Sequence, residues 1–108
     1  MKNLTPAQLA AWLADPALAK PLLLDVREPW EFHTCRVPDS LLVPMQEVPA
    51  RLGEIDPGAE VVVICHHGAR SLQVAQFLSQ QGYAKVHNLT GGVDAWARCV
   101  DPAMPVYR

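Results

Sequence analysis

Two rhythms of apolar and polar positions run along this chain. The first is helical. Leu9, Trp12 and Leu13 fall at i, i+3 and i+4, one face of an amphipathic helix. Thr5 stands before it as an N-cap, Pro6 takes the first helical position, and Gln8 closes a capping box. Asp15-Pro16 ends it. The second rhythm is the short unbroken apolar run. Pro21 to Val26 and Leu41-Leu42-Val43 read as short strands, and Val86-His87-Asn88-Leu89 as a last one. Val61 to Ile64 is apolar at every position, as expected of a central strand covered on both faces of a parallel sheet. A single helical turn is expected over Glu28 to His33, and a weaker helical pattern over Met45 to Leu52, stopped by Gly53. Asp56-Pro57-Gly58 has turn composition. Ser71 to Gln81 is the clearest helix, with Leu72, Val74, Ala75, Phe77 and Leu78 on one face and Gly82 as its stop. Val93 to Arg98 is expected to be helical after the Gly91-Gly92 bend. Strands that alternate with helices predict an α/β domain with a mostly parallel sheet.

Composition narrows this picture. The 108 residues suit one domain spanning 1–108, and 50% hydrophobic content argues against disorder. The formal net charge is −2 and no Lys/Arg run is present, so nucleic acid is not an expected partner. No stretch approaches the roughly 18 apolar residues of a membrane span, and the first residues lack an apolar signal-peptide core. Three cysteines, Cys35, Cys65 and Cys99, form no CxxC pair, which fits a reducing cytosol better than a disulfide framework. No metal is expected. Cys65, His66 and His67 are consecutive, and neighbours in an extended loop tend to point apart; His33 and His87 stand alone. No cofactor is expected either, and the default assembly is a monomer.

The chemistry concentrates at Cys65. It ends the most buried strand, and in open α/β sheets ligands bind outside the carboxyl ends of strands. The loop Cys65-His66-His67-Gly68-Ala69-Arg70 then leads into a helix start at about Ser71, where free N–H groups attract anions. Gly68 permits positive φ, so that successive N–H groups turn toward one centre. Arg70 adds a permanent charge and a bidentate fork for an oxyanion. These features favour thiolate over thiol and mark Cys65 as a nucleophile in a small anion cradle. Either His66 or His67 can act as acid or base near neutral pH. The expectation is instead that their side chains point outward and only their N–H groups matter, because an ionised sulfur needs no base.

Three segments carry a resemblance. "LLLDVREPWEF" (22–32), "CHHGARS" (65–71) and "NLTGGVDAW" (88–96) occur in that order, and with them the chain resembles the rhodanese-like sulfurtransferases in their single-domain form. The resemblance covers nearly the whole chain. It implies a five-stranded, mostly parallel sheet with helices on both faces and a Cys65 persulfide intermediate. A small anionic sulfur donor such as thiosulfate, or a persulfide donor, would load Cys65, and cyanide, a thiol or a thiophilic protein would unload it in a ping-pong cycle. It also implies that the N–H groups of roughly His66 to Ser71 hold the persulfide and that Asp25 and Arg27 are structural. One segment departs from the family pattern: "CRVPDSLLVP" (35–44) lacks the usual glycines and carries Cys35 and Arg36. Cys35 is read as a packed small residue, the alternative being a second thiol that resolves the persulfide. Arg36 faces either the anion site or solvent.

For the remaining residues, a local ion-pair network is the expected role of Asp25, Arg27 and Glu31. Gly91-Gly92 is read as a sharp turn or close backbone packing, since no lysine follows to bind phosphate. Trp12, Trp30 and Trp96 are expected in the core or at a pocket rim, Cys99 as a bystander, and the tail "DPAMPVYR" either to wrap the surface or to fray. Competing functions are a phosphatase or arsenate reductase, a non-catalytic interaction module, and a redox sensor built on an exposed thiolate. Only four residues separate Cys65 from Arg70, a tighter ring than the five that such phosphatases resemble, which favours sulfur over phosphate.

Overall fold

A computed structural model describes residues 1–108. Its five strands are β1 (Lys2–Leu4), β2 (Leu22–Asp25), β3 (Leu41–Leu42), β4 (Val61–Ile64) and β5 (Val86–Leu89). Its α-helices are α1 (Pro6–Ala14), α2 (Pro29–Thr34), α3 (Ala69–Gln80) and α4 (Gly92–Cys99). All strands are parallel in one sheet, ordered β1-β5-β4-β2-β3. The all-apolar β4 is central, and its four residues are buried. Odd and even residues of β4 face different cores. Val61 and Val63 join α3 and the segment before β4, through Val48, Ile55, Val74 and Leu78. Val62 and Ile64 join α1 and α4, through Leu9, Val93 and Trp96. The expected α/β architecture with helices on both faces is therefore present.

The strand order also locates a crevice. From β4 the chain runs through α3 to β5, on one side of the sheet's centre. From β2 it runs through α2 to β3, on the other side. Where neighbouring connections diverge in this way, the carboxyl ends of the two strands open a binding site. Asp25 pairs with Ile64 in register, so the loops after β2 and β4 begin side by side.

Most elements fall where periodicity places them. At α1, Thr5 Oγ1 accepts the Gln8 N–H, and Gln8 Oε1 accepts the Thr5 N–H, the expected reciprocal cap. Three differences have physical causes. Met45 to Leu52 forms no α-helix; it makes two 3₁₀ segments, Met45–Glu47 and Pro49–Glu54, because Pro49 cannot supply the N–H that a continuous helix would need. Helix α3 begins at Ala69, two residues earlier than expected, since Gly68 in the left-handed region already serves as its cap. Strand β1 escapes the sequence reading. Lys2-Asn3-Leu4 has no apolar run, and it is held at the edge by backbone pairing with β5.

Candidate active site

Cys65 follows the last residue of β4 and is 1% exposed. The chain then turns back on the sulfur. Gly68, at φ 105°, donates its N–H to Cys65 Sγ at 3.0 Å. Ser71 Oγ lies 3.3 Å from the same sulfur. The Ser71 hydroxyl also lies within hydrogen-bond reach of the Gly68 carbonyl and the Asn88 side chain. A hydroxyl rotor serves both states of the sulfur: it accepts from a thiol, or turns to donate to a thiolate.

The turn before α4 closes this loop from the other side. Val93 and Asp94 donate their N–H groups to the Cys65 and His66 carbonyls at 2.9 and 3.1 Å. A Cβ at Gly92, whose φ is 61°, would run into those same two carbonyls, and one at Gly68 would sit 3.1 Å from the Gly91 nitrogen. Gly91-Gly92 is thus a close backbone approach, as read from the sequence, and it braces the cysteine loop.

A chain of charges lines the crevice between β2 and β4. Arg27 is fully buried, and its guanidinium grips Asp25, with Nη2 to Oδ2 at 2.7 Å and Nε to Oδ1 at 2.9 Å. Its other N–H groups go to the Cys35 and Glu31 carbonyls, at 2.6 and 3.2 Å, and to the Tyr107 hydroxyl at 3.0 Å. Burial opposes the charge on Arg27, but the Asp25 carboxylate outweighs it and holds the cation. Glu31 does not join this pair directly. Its carboxylate receives both Nη groups of Arg70, at 2.7 and 2.8 Å, and also the Tyr107 hydroxyl and the Glu28 N–H. Arg70 lowers the Glu31 pKa to about 2 against the opposing effect of burial. Glu31 in turn raises the pKa of Arg70, and negative charge at Cys65 acts the same way. The expectation of an open Arg70 fork is therefore corrected: a carboxylate from the chain itself fills it.

Of the two histidines, His67 is exposed as expected and His66 departs from expectation. His66 does not point outward. It is 8% exposed, and its ring stacks on Tyr107 with centroids 4.0 Å apart and on His67 at 3.8 Å. His66 Nε2 lies 2.8 Å from the Tyr107 carbonyl, which can only accept, so Nε2 carries the hydrogen. Burial, with the neighbouring His67, lowers the His66 pKa and keeps it neutral. His67 is mostly exposed, with Nε2 3.9 Å from Asp94. The assumption that consecutive histidines point apart fails, because Tyr107 gives the pair a platform to stack upon. His66, His67 and Asp94 bring possible metal-ligating atoms within 4.8 Å of one another. One of the ring nitrogens in this group, His66 Nε2, is already engaged by the Tyr107 carbonyl.

Other candidates fall outside the site. Cys35 packs on the sheet face opposite Cys65, in the core of Leu9, Val37 and Trp96, which fits a small packed residue and not a resolving thiol. Arg36 is exposed and lies over the Phe32 ring at 4.6 Å. Cys99 is exposed on α4. Trp96 is buried and Trp12 partly so, while Trp30 is 58% exposed and meets Tyr107 edge-on. The near-complete burial of Cys65 removes the exposed thiolate on which a redox-sensor reading relied. A pocket of about 480 Å³, lined by Ala10, Leu13, Leu23, Val37 and Trp96 among others, includes no residue of the cysteine loop. Tyr107 is the main residue that sequence reasoning missed. A lone aromatic in a proline-spaced tail carries no periodic signal.

Comparison with known proteins agrees with this geometry. The family model described as rhodanese-like domain matches residues 5–99. A protein named sulfurtransferase from Allochromatium vinosum is 48% identical over 77 residues, covering 71% of this chain and 72% of its own length. The thiosulfate sulfurtransferase GlpE of Pseudomonas syringae is 32% identical over 95 residues, covering 88% of this chain and 86% of its own. Some relatives are longer, and the chain spans only 38% of a rhodanese-like/PpiC domain-containing protein of Arabidopsis thaliana, at 33% identity over 99% of this chain. Among solved structures, a rhodanese-like domain protein from Staphylococcus aureus superposes with a TM-score of 0.82 at 28% identity, each chain covered in full. No helix is long and apolar enough to cross a membrane. With its family signature, its parallel sheet and its cysteine loop in agreement, the chain belongs to the rhodanese-like domain family.

Proposed function

We propose that the protein is a sulfurtransferase that carries a sulfane sulfur on Cys65. The Cys65 thiolate attacks the outer sulfur of a donor such as thiosulfate. A new S–S bond forms, the donor's own S–S bond breaks, and its electron pair leaves with sulfite. An acceptor nucleophile, cyanide in an assay or a thiol in the cell, then attacks the outer sulfur of the persulfide and restores the Cys65 thiolate. Two displacements through one covalent intermediate give ping-pong kinetics.

The observation that carries this reading is the Gly68 N–H held 3.0 Å from a thiol at the end of the central strand. A backbone donor locked by the αL turn stabilises negative sulfur without reorganisation during reaction. The near-complete burial of Cys65 adds to it. A terminal sulfur is a thin group that can reach such a thiol, whereas a phosphoryl group brings several oxygens that need room. Relatives named sulfurtransferase and thiosulfate sulfurtransferase support the reading.

The test is direct. Wild type and Cys65→Ser are incubated with thiosulfate and with the persulfide of 2-mercaptoethanol, and intact mass is recorded before and after cyanide. Wild type should gain the mass of one sulfur and lose it as thiocyanate, while Cys65→Ser gains none. Wild type that takes sulfur from neither donor would reject the proposal and favour a non-catalytic interaction module.

A further inference from the structure

Rhodanese-type loops are read as anion cradles, yet the charges around this one cancel. Arg27 is matched by Asp25 and Arg70 by Glu31. The Arg27 fork is fully engaged, with Asp25, two carbonyls and the Tyr107 hydroxyl as acceptors. The Arg70 fork is closed, because both Nη groups lie within 2.8 Å of Glu31 oxygens. The Glu31 side chain is 4% exposed and that of Arg70 36%, so the pair is shielded from water on its carboxylate side. Two further hydrogen bonds and the helix it stands on hold that carboxylate in place. The Tyr107 hydroxyl donates to Oε1 at 2.9 Å, the Glu28 N–H donates to Oε2 at 2.8 Å, and α2 carries the backbone. Nor do the aromatic groups restore positive charge. Burial lowers the His66 pKa and raises that of Tyr107 to about 12, so it disfavours a charged form on either ring. His67 and Arg98 are exposed, and both face the Asp94 carboxylate.

Thiosulfate brings two negative charges to a thiolate that already carries one. In this crevice the backbone N–H groups oppose that build-up with no free guanidinium to help, and Glu31 adds repulsion at the rim. We propose that Glu31 is a specificity-determining residue that turns the site away from dianionic donors and toward persulfides, R–S–SH, carrying at most one negative charge at the reacting sulfurs. The step balances without an added reagent. The Cys65 thiolate attacks the terminal sulfur, the R–S–S–H sulfur–sulfur bond breaks, and its electron pair leaves as R–S⁻. The proton stays on the transferred sulfur as Cys65–S–SH. This inference rests on the sulfurtransferase reading above and names the donor class for that same site.

Glu31→Gln tests it. The substitution removes one negative charge and frees the Arg70 fork, and both changes favour a dianion. Initial rates of sulfur loading, read by intact mass, give kcat/KM for thiosulfate and for 2-mercaptoethanol persulfide. Wild type should prefer the persulfide. In Glu31→Gln the ratio of thiosulfate to persulfide efficiency should rise by ~10-fold or more, since one unit charge a few ångströms from a dianion acts at this scale near a protein surface. Glu31→Asp keeps the charge and should keep the wild-type preference. An unchanged or lower ratio in Glu31→Gln would overturn the inference. A measurement on wild type alone stands beside the variants in case Glu31→Gln folds poorly. Sulfate and perchlorate share a tetrahedral shape and differ in charge, and they should inhibit persulfide loading with similar strength. Sulfate inhibiting at a tenfold lower concentration would overturn the proposal. Loading of wild type by neither donor would reject the sulfurtransferase reading itself, a result distinct from loading by both donors without the shift in preference.

Discussion

The Tyr107 hydroxyl accepts from Arg27 Nη1 at 3.0 Å and donates to Glu31 Oε1 at 2.9 Å, while its ring lies flat on His66. One side chain thus links the buried Asp25–Arg27 pair to the Glu31–Arg70 pair at the rim. Tyr107→Phe keeps the ring and its stacking but leaves both charged partners one bond short. Hydrogen bonds to charged groups contribute ~1.5–3 kcal/mol each, so a loss of about 2 kcal/mol is expected, read as a lower urea midpoint at unchanged slope. An unshifted midpoint would mean that water replaces the hydroxyl without cost. None of this linkage was legible in the sequence. The loop from Cys65 to Ser71 was, because strand end, glycine and helix start are neighbours in the chain. The Glu31–Arg70 pair spans 39 positions and leaves no periodic trace, so Arg70 was read as a free fork.

Among elements, the N-terminus of α4 and the cysteine loop form one unit. Two N–H groups of α4 meet the Cys65 and His66 carbonyls, and Gly92 allows the approach. Gly92→Ala places a methyl group against those carbonyls in a backbone region that alanine disfavours. The expected outcome is a loss of at least ~2 kcal/mol together with most sulfur loading, since the strain falls on the segment that holds the sulfur. Denaturation midpoint and intact mass check the two effects separately. Elements whose faces bury apolar side chains, such as β4 and α3, could be read from pattern alone. Strand β1 could not, because backbone pairing to β5 holds it and its side chains are mostly exposed. The 3₁₀ segments after β3 were read as a helix because their apolar spacing outweighed Pro49 in the pattern, while the backbone obeys the proline.

The whole molecule inherits a pH dependence from its site. Glu31 titrates at about 2 in the folded chain against 4.5 for an unperturbed group, so between these values the unfolded chain binds a proton that the folded chain excludes. Stability is therefore full above about pH 4.5 and falls as pH drops toward 2. His66 has the same sign at higher pH. Its folded pKa lies below the ordinary 6.5, so acidification through that region favours the unfolded, protonated form. Thermal denaturation across pH should show Tm falling below about pH 6.5 and more steeply below 4.5, and Glu31→Gln should flatten the second fall. An equally steep fall in that variant would assign the acid lability to other carboxylates. The bracing of the cysteine loop by Gly92, α4 and Tyr107 also sets an order of events during synthesis. The nucleophile leaves the ribosome about 40 residues before Tyr107, so its loop emerges unbraced and becomes a finished cradle only when the segment carrying Tyr107 has followed it. A nascent chain that has not yet released Tyr107 therefore lacks the brace that completes the cradle for reactive sulfur.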